Sequence, residues 1–302
     1  MKNLPYSAQS PVVFARRALA GAVLSAMLAA SLPAWAQQAP AAAPAAAGAT
    51  APAPTASGVV PVGDVSAVPA PTIAAKAWIV IDVNSGQTLA ASNPDMKVEP
   101  ASLTKIMTAY VVFNALEEKR LTLEQTVPVS EHAWRTGGSR MFIEPRKPVT
   151  VDELNQGMIV QSGNDASVAL AEAVGGSESA FASLMNQEAE RLGMRNTHFM
   201  NATGLPDPQH MTSTRDLATL SAHLITDHAE FFHYYKQKSF TYNKITQPNR
   251  NRLLWADPSV DGMKTGHTDS AGYCLVSTAV RGDRRILCLL YTSPSPRDQR
   301  GS

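Results

Sequence analysis

From residue 73 onward the hydrophobic period changes twice, from alternating to helical and back to alternating. Residues 77–93 form two β-rich runs separated by Asn84-Ser85-Gly86, which reads as a hairpin with a glycine turn. After Pro100, at a position a helix tolerates, Ile106, Tyr110, Val111, Phe113 and Leu116 mark an apolar face at helical spacing. Further helices are predicted over residues 150–159, 165–174, 178–192 (stopped by Gly193) and 214–225. Strands return at 260–266, 272–280 and 285–291, the last two joined by Gly282-Asp283. Strands at both ends around a helical middle predict an α/β (α+β) fold, an antiparallel sheet from both chain ends with a helical subdomain packed on it.

The flanks have a different texture. Lys2, Arg16 and Arg17 precede an apolar run over 18–32 that closes on Ala34-Trp35-Ala36, the pattern of a secretory signal peptide over residues 1–36. That run is shorter than the stretch of about 20 residues a spanning helix needs. The context of the arginine pair favours ordinary Sec export over the twin-arginine route. Residues 37–72 are almost entirely Ala, Pro, Gly, Thr and Val, too poor in apolar surface to order, and read as a disordered linker. Residues 73–291 remain as one domain with room for a sizeable core. Residues 292–302, TSPSPRDQRGS, carry two prolines and no apolar periodicity and read as a non-native-looking tail. The chain is therefore expected to be exported, to the periplasm or cell envelope. With 26 Lys and Arg against 25 Asp and Glu the net charge is +1, and no basic cluster is interleaved with aromatics, which argues against a nucleic-acid partner.

Candidate chemistry begins with Ser102 and Lys105. An S-x-x-K spacing alone occurs about once by chance in a chain of this length, and its plain reading is a Ser and a Lys on the first turn of a helix. Two further triplets change that: Ser162-Gly163-Asn164, at the break between two predicted helices, and Lys264-Thr265-Gly266, at the end of a predicted strand. All three in this order arise by chance on the order of one time in a thousand. Residues three apart share a helix face, so the Lys105 amine can reach the Ser102 hydroxyl. Only a neutral amine accepts a proton, and burial or a second cation favours that form; Lys264 is the candidate second cation.

The same motifs sit in longer matching stretches: GMIVQSGNDA over 157–166, NATGLPDPQH over 201–210 and DGMKTGHTDSAGYCLV over 261–276. Over residues 77–290 the chain resembles the penicillin-recognising serine enzymes, and among them the low-molecular-weight penicillin-binding proteins that are D-alanyl-D-alanine carboxypeptidases. The resemblance implies a β-lactamase/transpeptidase-like fold. It implies Ser102 as nucleophile, Lys105 as general base and Ser162 as proton relay to the departing D-alanine. Asn164 would hold a substrate carbonyl, and Lys264 and Thr265 would grip the terminal carboxylate. Gly266 closes the third motif, and His267 beyond it lines the cleft. The oxyanion hole would be the backbone N–H groups of Ser102 and His267. The implied partners are peptidoglycan pentapeptide ending in D-Ala-D-Ala and β-lactam antibiotics as covalent inhibitors, with no cofactor. Relatives carry a second, β-rich domain and a C-terminal amphipathic membrane helix, so membrane association is expected only through elements absent from this chain. A helix that normally follows the last strand of this fold is also unread here. One sheet face is then expected to be partly bare and the domain poorly stable when expressed alone.

Other conspicuous residues read as structure. Thr150-x-x-Glu153 ahead of an apolar run has capping-box spacing, so Glu153 is read as a cap and not a base. His223, His228 and His233 recur every five residues, which turns successive side chains about 140° apart on a helix, so they do not converge on a metal, and none is expected. A hairpin turning at Gly282-Asp283 sets Tyr291 opposite Cys274 and Ser277 opposite Cys288, three residues out of register, so two buried thiols are expected and not a disulfide. Three rivals share the features read so far. A class A β-lactamase needs a glutamate after the second motif, but Glu153-Leu154-Asn155 precedes Ser162 and residues 196–208 contain no glutamate. A DD-endopeptidase would use the same groove, and a non-catalytic wall-binding module would keep it without the chemistry.

Overall fold

A computed structural model describes residues 71–292. The expected leader (1–36), the expected linker (37–72) but for its last two residues, and the expected tail (292–302) but for its first lie outside the described residues; Thr292, read as tail, ends the last strand opposite Ala75. In chain order the elements are β1 (Ala75–Asp82), β2 (Thr88–Ser92), a 3₁₀ turn (Ala101–Leu103), α1 (Thr104–Glu117), β3 (Thr126–Val127), α2 (Glu131–Arg135), β4 (Val149–Thr150), α3 (Val151–Val160), α4 (Asn164–Gly175), α5 (Glu178–Arg191), α6 (Thr214–Asp227), α7 (His233–Lys236), β5 (Ser239–Tyr242), β6 (Ile245–Pro248), α8 (Leu253–Ala256), β7 (Val260–Thr268), β8 (Gly272–Arg281) and β9 (Arg284–Thr292).

The main sheet has the order β2-β1-β9-β8-β7, every neighbouring pair antiparallel. The first and last strands of the domain thus lie side by side at its centre, and β7 is left at an edge. The β8–β9 hairpin sets Arg281 against Arg284, Cys274 against Tyr291 and Ser277 against Cys288. Both cysteines are free thiols, as that register requires; Cys274 is buried, while Cys288 is only half-buried because it lies on the opposite sheet face. That face also carries Val80, Leu275, Ile286 and Leu290, all half-buried.

The periodicity predicts one apolar face for the helix after Pro100, but α1 is buried almost all round. It packs against α3, α4, α5 and α6 and buries Thr104, Lys105 and Thr108 along with its aliphatic residues. A helix enclosed on every side is the core element of a domain, and a lysine on it has little access to water. Thr150 caps α3, accepting from the Glu153 N–H, while the Glu153 carboxylate accepts from the Thr150 N–H at 2.9 Å, a complete capping box. The three spaced histidines go to different partners: His223 to Asp227, His228 to Glu117, and His233 to the Glu230 carbonyl.

Candidate active site

Three chain segments meet where the edge strand β7 passes the 3₁₀ turn. Ser102 lies on that turn, two residues before α1, and not within the first α-helical turn. The turn begins at Ala101, whose φ of 46° is in the left-handed region, a strained setting for a residue with a Cβ. β7 approaches so closely that a Cβ added to Gly266 would lie 2.6 Å from Cys274 Sγ and 3.2 Å from the Ser102 nitrogen. Only glycine fits, which gives the last letter of Lys-Thr-Gly a steric reason.

Lys105 is 1% exposed. Its Nζ lies 3.2 Å from Ser102 Oγ, 2.7 Å from Asn164 Oδ1 and 2.7 Å from the Thr203 carbonyl. Burial, then the nearby cations Lys264 and Arg250, push the amine well below the usual lysine range, against an opposing pull from Asp165. Lys264 sits equally deep on β7, donating to Ser162 Oγ at 2.9 Å and to the Thr265 carbonyl at 2.9 Å. Burial and Arg250 bring its pKa down to about 7.

The second motif occupies the junction of α3 and α4. Ser162 has a φ of 67°, again left-handed, and Asn164 opens α4. Asn164 Oδ1 accepts from Lys105 and its Nδ2 donates to the Gly137 carbonyl at 2.7 Å, which leaves one amide N–H uncommitted. Asp165, the next residue, is fully buried and accepts from the N–H groups of Met141, Phe142 and Ile143. It fastens the loop whose Gly138 and Ser139 form one wall of the cleft.

The cleft itself encloses about 630 Å³, and Ser102, Ser162, Asn164, Thr265, Gly266 and His267 all face it. The His267 ring lies against that of Tyr273, centroids 4.2 Å apart and planes tilted by 39°. Every residue nominated from the sequence is therefore in or directly beneath one cavity. The sequence reading missed Arg250 and Arg252, which complete the rim, and the Thr203 carbonyl. Arg250 belongs to no recognisable motif; it is held between Asn249 and Asn251, whose side chains bond to the Gln237 and Gly262 carbonyls. These two arginines line the cleft, and among the described residues lining it there is no carboxylate.

Residues 64–292 match the peptidase S11 family, described as D-alanyl-D-alanine carboxypeptidase. The D-alanyl-D-alanine carboxypeptidase DacC of Escherichia coli is 48% identical over 237 residues, covering 76% of this chain and 59% of that protein. This chain thus spans under two thirds of that relative's length. Penicillin-binding protein 5 from Haemophilus influenzae superposes with a TM-score of 0.74 at 44% identity, over 76% of this chain and 68% of the other. Penicillin-binding protein D2 from Listeria monocytogenes, in its ampicillin-bound form, gives 0.69 at 30% identity, over 77% and 95%. The motifs that converge on this cleft lie inside the family match over 64–292, and the chain belongs to the D-alanyl-D-alanine carboxypeptidase family, peptidase S11.

Proposed function

We propose that the chain is a serine D-alanyl-D-alanine carboxypeptidase that releases the terminal D-alanine of peptidoglycan pentapeptide through an acyl-enzyme on Ser102, and that β-lactams acylate the same serine. The observation that carries this is a buried lysine with a depressed pKa in hydrogen-bond contact with a serine at the floor of a cationic cleft. Lys105 is the base that takes the Ser102 proton. The oxygen attacks the carbonyl between the last two residues, and the Ser102 and His267 N–H groups hold the oxyanion. Ser162, joined to Lys264, returns a proton to the departing amine. The remaining Asn164 N–H takes a substrate carbonyl upstream.

Specificity for a free C-terminus follows from charge. Arg250 and Lys264 with the Thr265 hydroxyl form a carboxylate clamp, and β7, as an edge strand, offers its backbone to an extended peptide. With residues 1–36 as a cleaved leader and 37–72 as a tether, the domain works in the cell envelope, where this substrate is found.

Ser102→Ala is the decisive variant. It is expected to lose both covalent labelling by fluorescent penicillin and D-alanine release with its melting temperature little changed. Retained release would point to another nucleophile. Monomeric pentapeptide assayed beside cross-linked muropeptide separates carboxypeptidase from endopeptidase.

A further inference from the structure

The loop from Asn201 to Met211 is bound at three points to the helix that carries Lys105. Thr108 Oγ1 donates to the Ala202 carbonyl at 2.7 Å, Lys105 Nζ donates to the Thr203 carbonyl at 2.7 Å, and Thr104 Oγ1 lies 2.9 Å from His210 Nε2. Asn201 Oδ1 accepts from the N–H groups of Thr203 and Gly204 at 3.1 and 2.8 Å, which fixes the turn between the first and last of these contacts.

The proton on His210 can be placed by its partners. The Met200 N–H can only donate, so His210 Nδ1, 3.2 Å away, is the acceptor. The ring proton is then on Nε2 and is donated to Thr104 Oγ1. Burial brings the imidazole pKa down to about 4, so the ring is neutral across the physiological range.

We propose that the Thr203 carbonyl, held by the His210–Thr104 hydrogen bond as a strut, is a positioning device that aims the free electron pair of neutral Lys105 at the Ser102 hydroxyl. It rests on the function proposed above. As an ammonium, Lys105 has three protons and three acceptors: Asn164 Oδ1, the Thr203 carbonyl and Ser102 Oγ. Deprotonated, it has two. They stay on the two shorter bonds, both 2.7 Å, and the lone pair takes the remaining tetrahedral direction, towards Ser102 Oγ at 3.2 Å.

Without the Thr203 carbonyl, the amine is free to rotate and spend an N–H on Ser102, leaving its electron pair pointing elsewhere. With it, the attack step is already aligned. The Ser102 proton passes to the Nζ lone pair, the serine oxygen bonds to the substrate carbonyl carbon, and the π pair moves onto the carbonyl oxygen. The lysine then regains three protons for the same three acceptors.

Thr104 and His210 touch no reacting atom, so the test separates direction from protonation and from stability. Thr104→Val removes the strut hydroxyl at nearly constant shape, and Thr104→Ser keeps it. Rapid mixing with fluorescent penicillin gives the dissociation constant of the first complex and the limiting acylation rate. Thr104→Val is expected to lower the limiting rate roughly ten- to a hundred-fold, the cost of a misaimed group, with the dissociation constant unchanged because the carboxylate clamp is intact. Thr104→Ser is expected to stay within about twofold of wild type.

The deficit is also expected to persist at alkaline pH, where Lys105 is neutral in every variant. The charged groups facing Lys105 are Lys264, Arg250 and Asp165, and those facing His210 are Asp207, His198 and Lys105, all present in each variant. If Thr104→Val melts below the assay temperature, the pair His210→Gln, which keeps a donor for Thr104, and His210→Phe, which does not, puts the same question with the same expected split. Wild-type limiting rates in the strut-less variants, loss of rate in Thr104→Ser equal to that in Thr104→Val, or a deficit that vanishes at alkaline pH overturns the proposal. A wild-type chain that penicillin does not acylate overturns the functional reading itself, and the strut with it.

Discussion

The ammonium of Lys264 donates to the hydroxyl of Ser162 at 2.9 Å, tying the edge strand β7 to the junction of α3 and α4 beneath the cleft. Burying that cation costs stability, and the sign follows from its pKa. The folded value, about 7, lies below the unfolded value of 10.5, so between those pH values the unfolded chain binds more protons and this group's contribution to stability rises with pH. Its cost is full below about pH 7. Lys264→Met is therefore expected to melt several degrees higher than wild type at pH 7 while losing D-alanine release. The gain should fade as the pH approaches 10.5, and melts at pH 7 in which the variant is no more stable than wild type would contradict this account.

Arg250 gives a second, independent pH test. It lowers the pKa of both buried lysines, and Lys105 has to be neutral to accept the Ser102 proton. Arg250→Ala relieves that repulsion, so the Lys105 pKa rises and the acid limb of the acylation profile moves to higher pH. Weaker carboxylate binding lowers the height of the profile as well, but only the position of the limb reports on the base. An unmoved limb, from penicillin labelling between pH 5 and 10, would show that Arg250 does not act on Lys105.

The sheet, the hairpin register and the main helices were legible because each depends on a long periodic run or on a turn that admits one register. Arg281 opposite Arg284 follows from Gly282-Asp283 alone. The short elements were not legible: α2, α7, α8 and the pairs β3–β4 and β5–β6 are too brief for a period to show. In the site, Ser102, Lys105, Ser162, Asn164 and Lys264 announced themselves through spacing within motifs. Arg250 and the Thr203 carbonyl reach the cleft only through tertiary packing, and a backbone carbonyl has no residue type to read. Asp165 was in plain view beside Asn164, but its work of holding three N–H groups of a distant loop is invisible without the fold.

Gly204 faces the turn that carries Ser102 with a φ of 83°, and a Cβ placed there would lie 1.8 Å from the Ala101 carbonyl oxygen. The clash is with backbone, so no rotamer relieves it. Gly204→Ala is expected to destabilise the domain by about 2 kcal/mol or more and to slow penicillin acylation, because the turn bearing Ser102 has to move. Urea denaturation with an unchanged midpoint would mean that the turn accommodates the methyl group.

Cys274 and Cys288 offer a check on the strand register. Burial pushes the Cys274 thiol up to about 12 and also raises that of Cys288. Both should resist alkylation in the native protein at pH 8, and two thiols should react in denaturant without any reductant. A single disulfide-bonded peptide pair in the mass spectrum would require a shift of β9 against β8 by about three residues.

The absence of a carboxylate from the described cleft lining decides how a penicilloyl-enzyme should behave. Hydrolysis of that ester needs a base that activates water. Asp165, the acid that acts on Lys105, is committed to the N–H groups of Met141, Phe142 and Ile143, and Glu153, the glutamate ahead of the second motif, to its capping box with Thr150. Lys105 can deprotonate Ser102, but after acylation a water has to find it past the adduct. Nitrocefin is therefore expected to show a burst of one equivalent per active site followed by slow turnover, and the acyl-enzyme should survive gel filtration. Steady turnover of roughly one per second or faster, the range of an ordinary enzyme cycle, would mean that another group supplies the base. The β-lactamase reading would then displace the carboxypeptidase one.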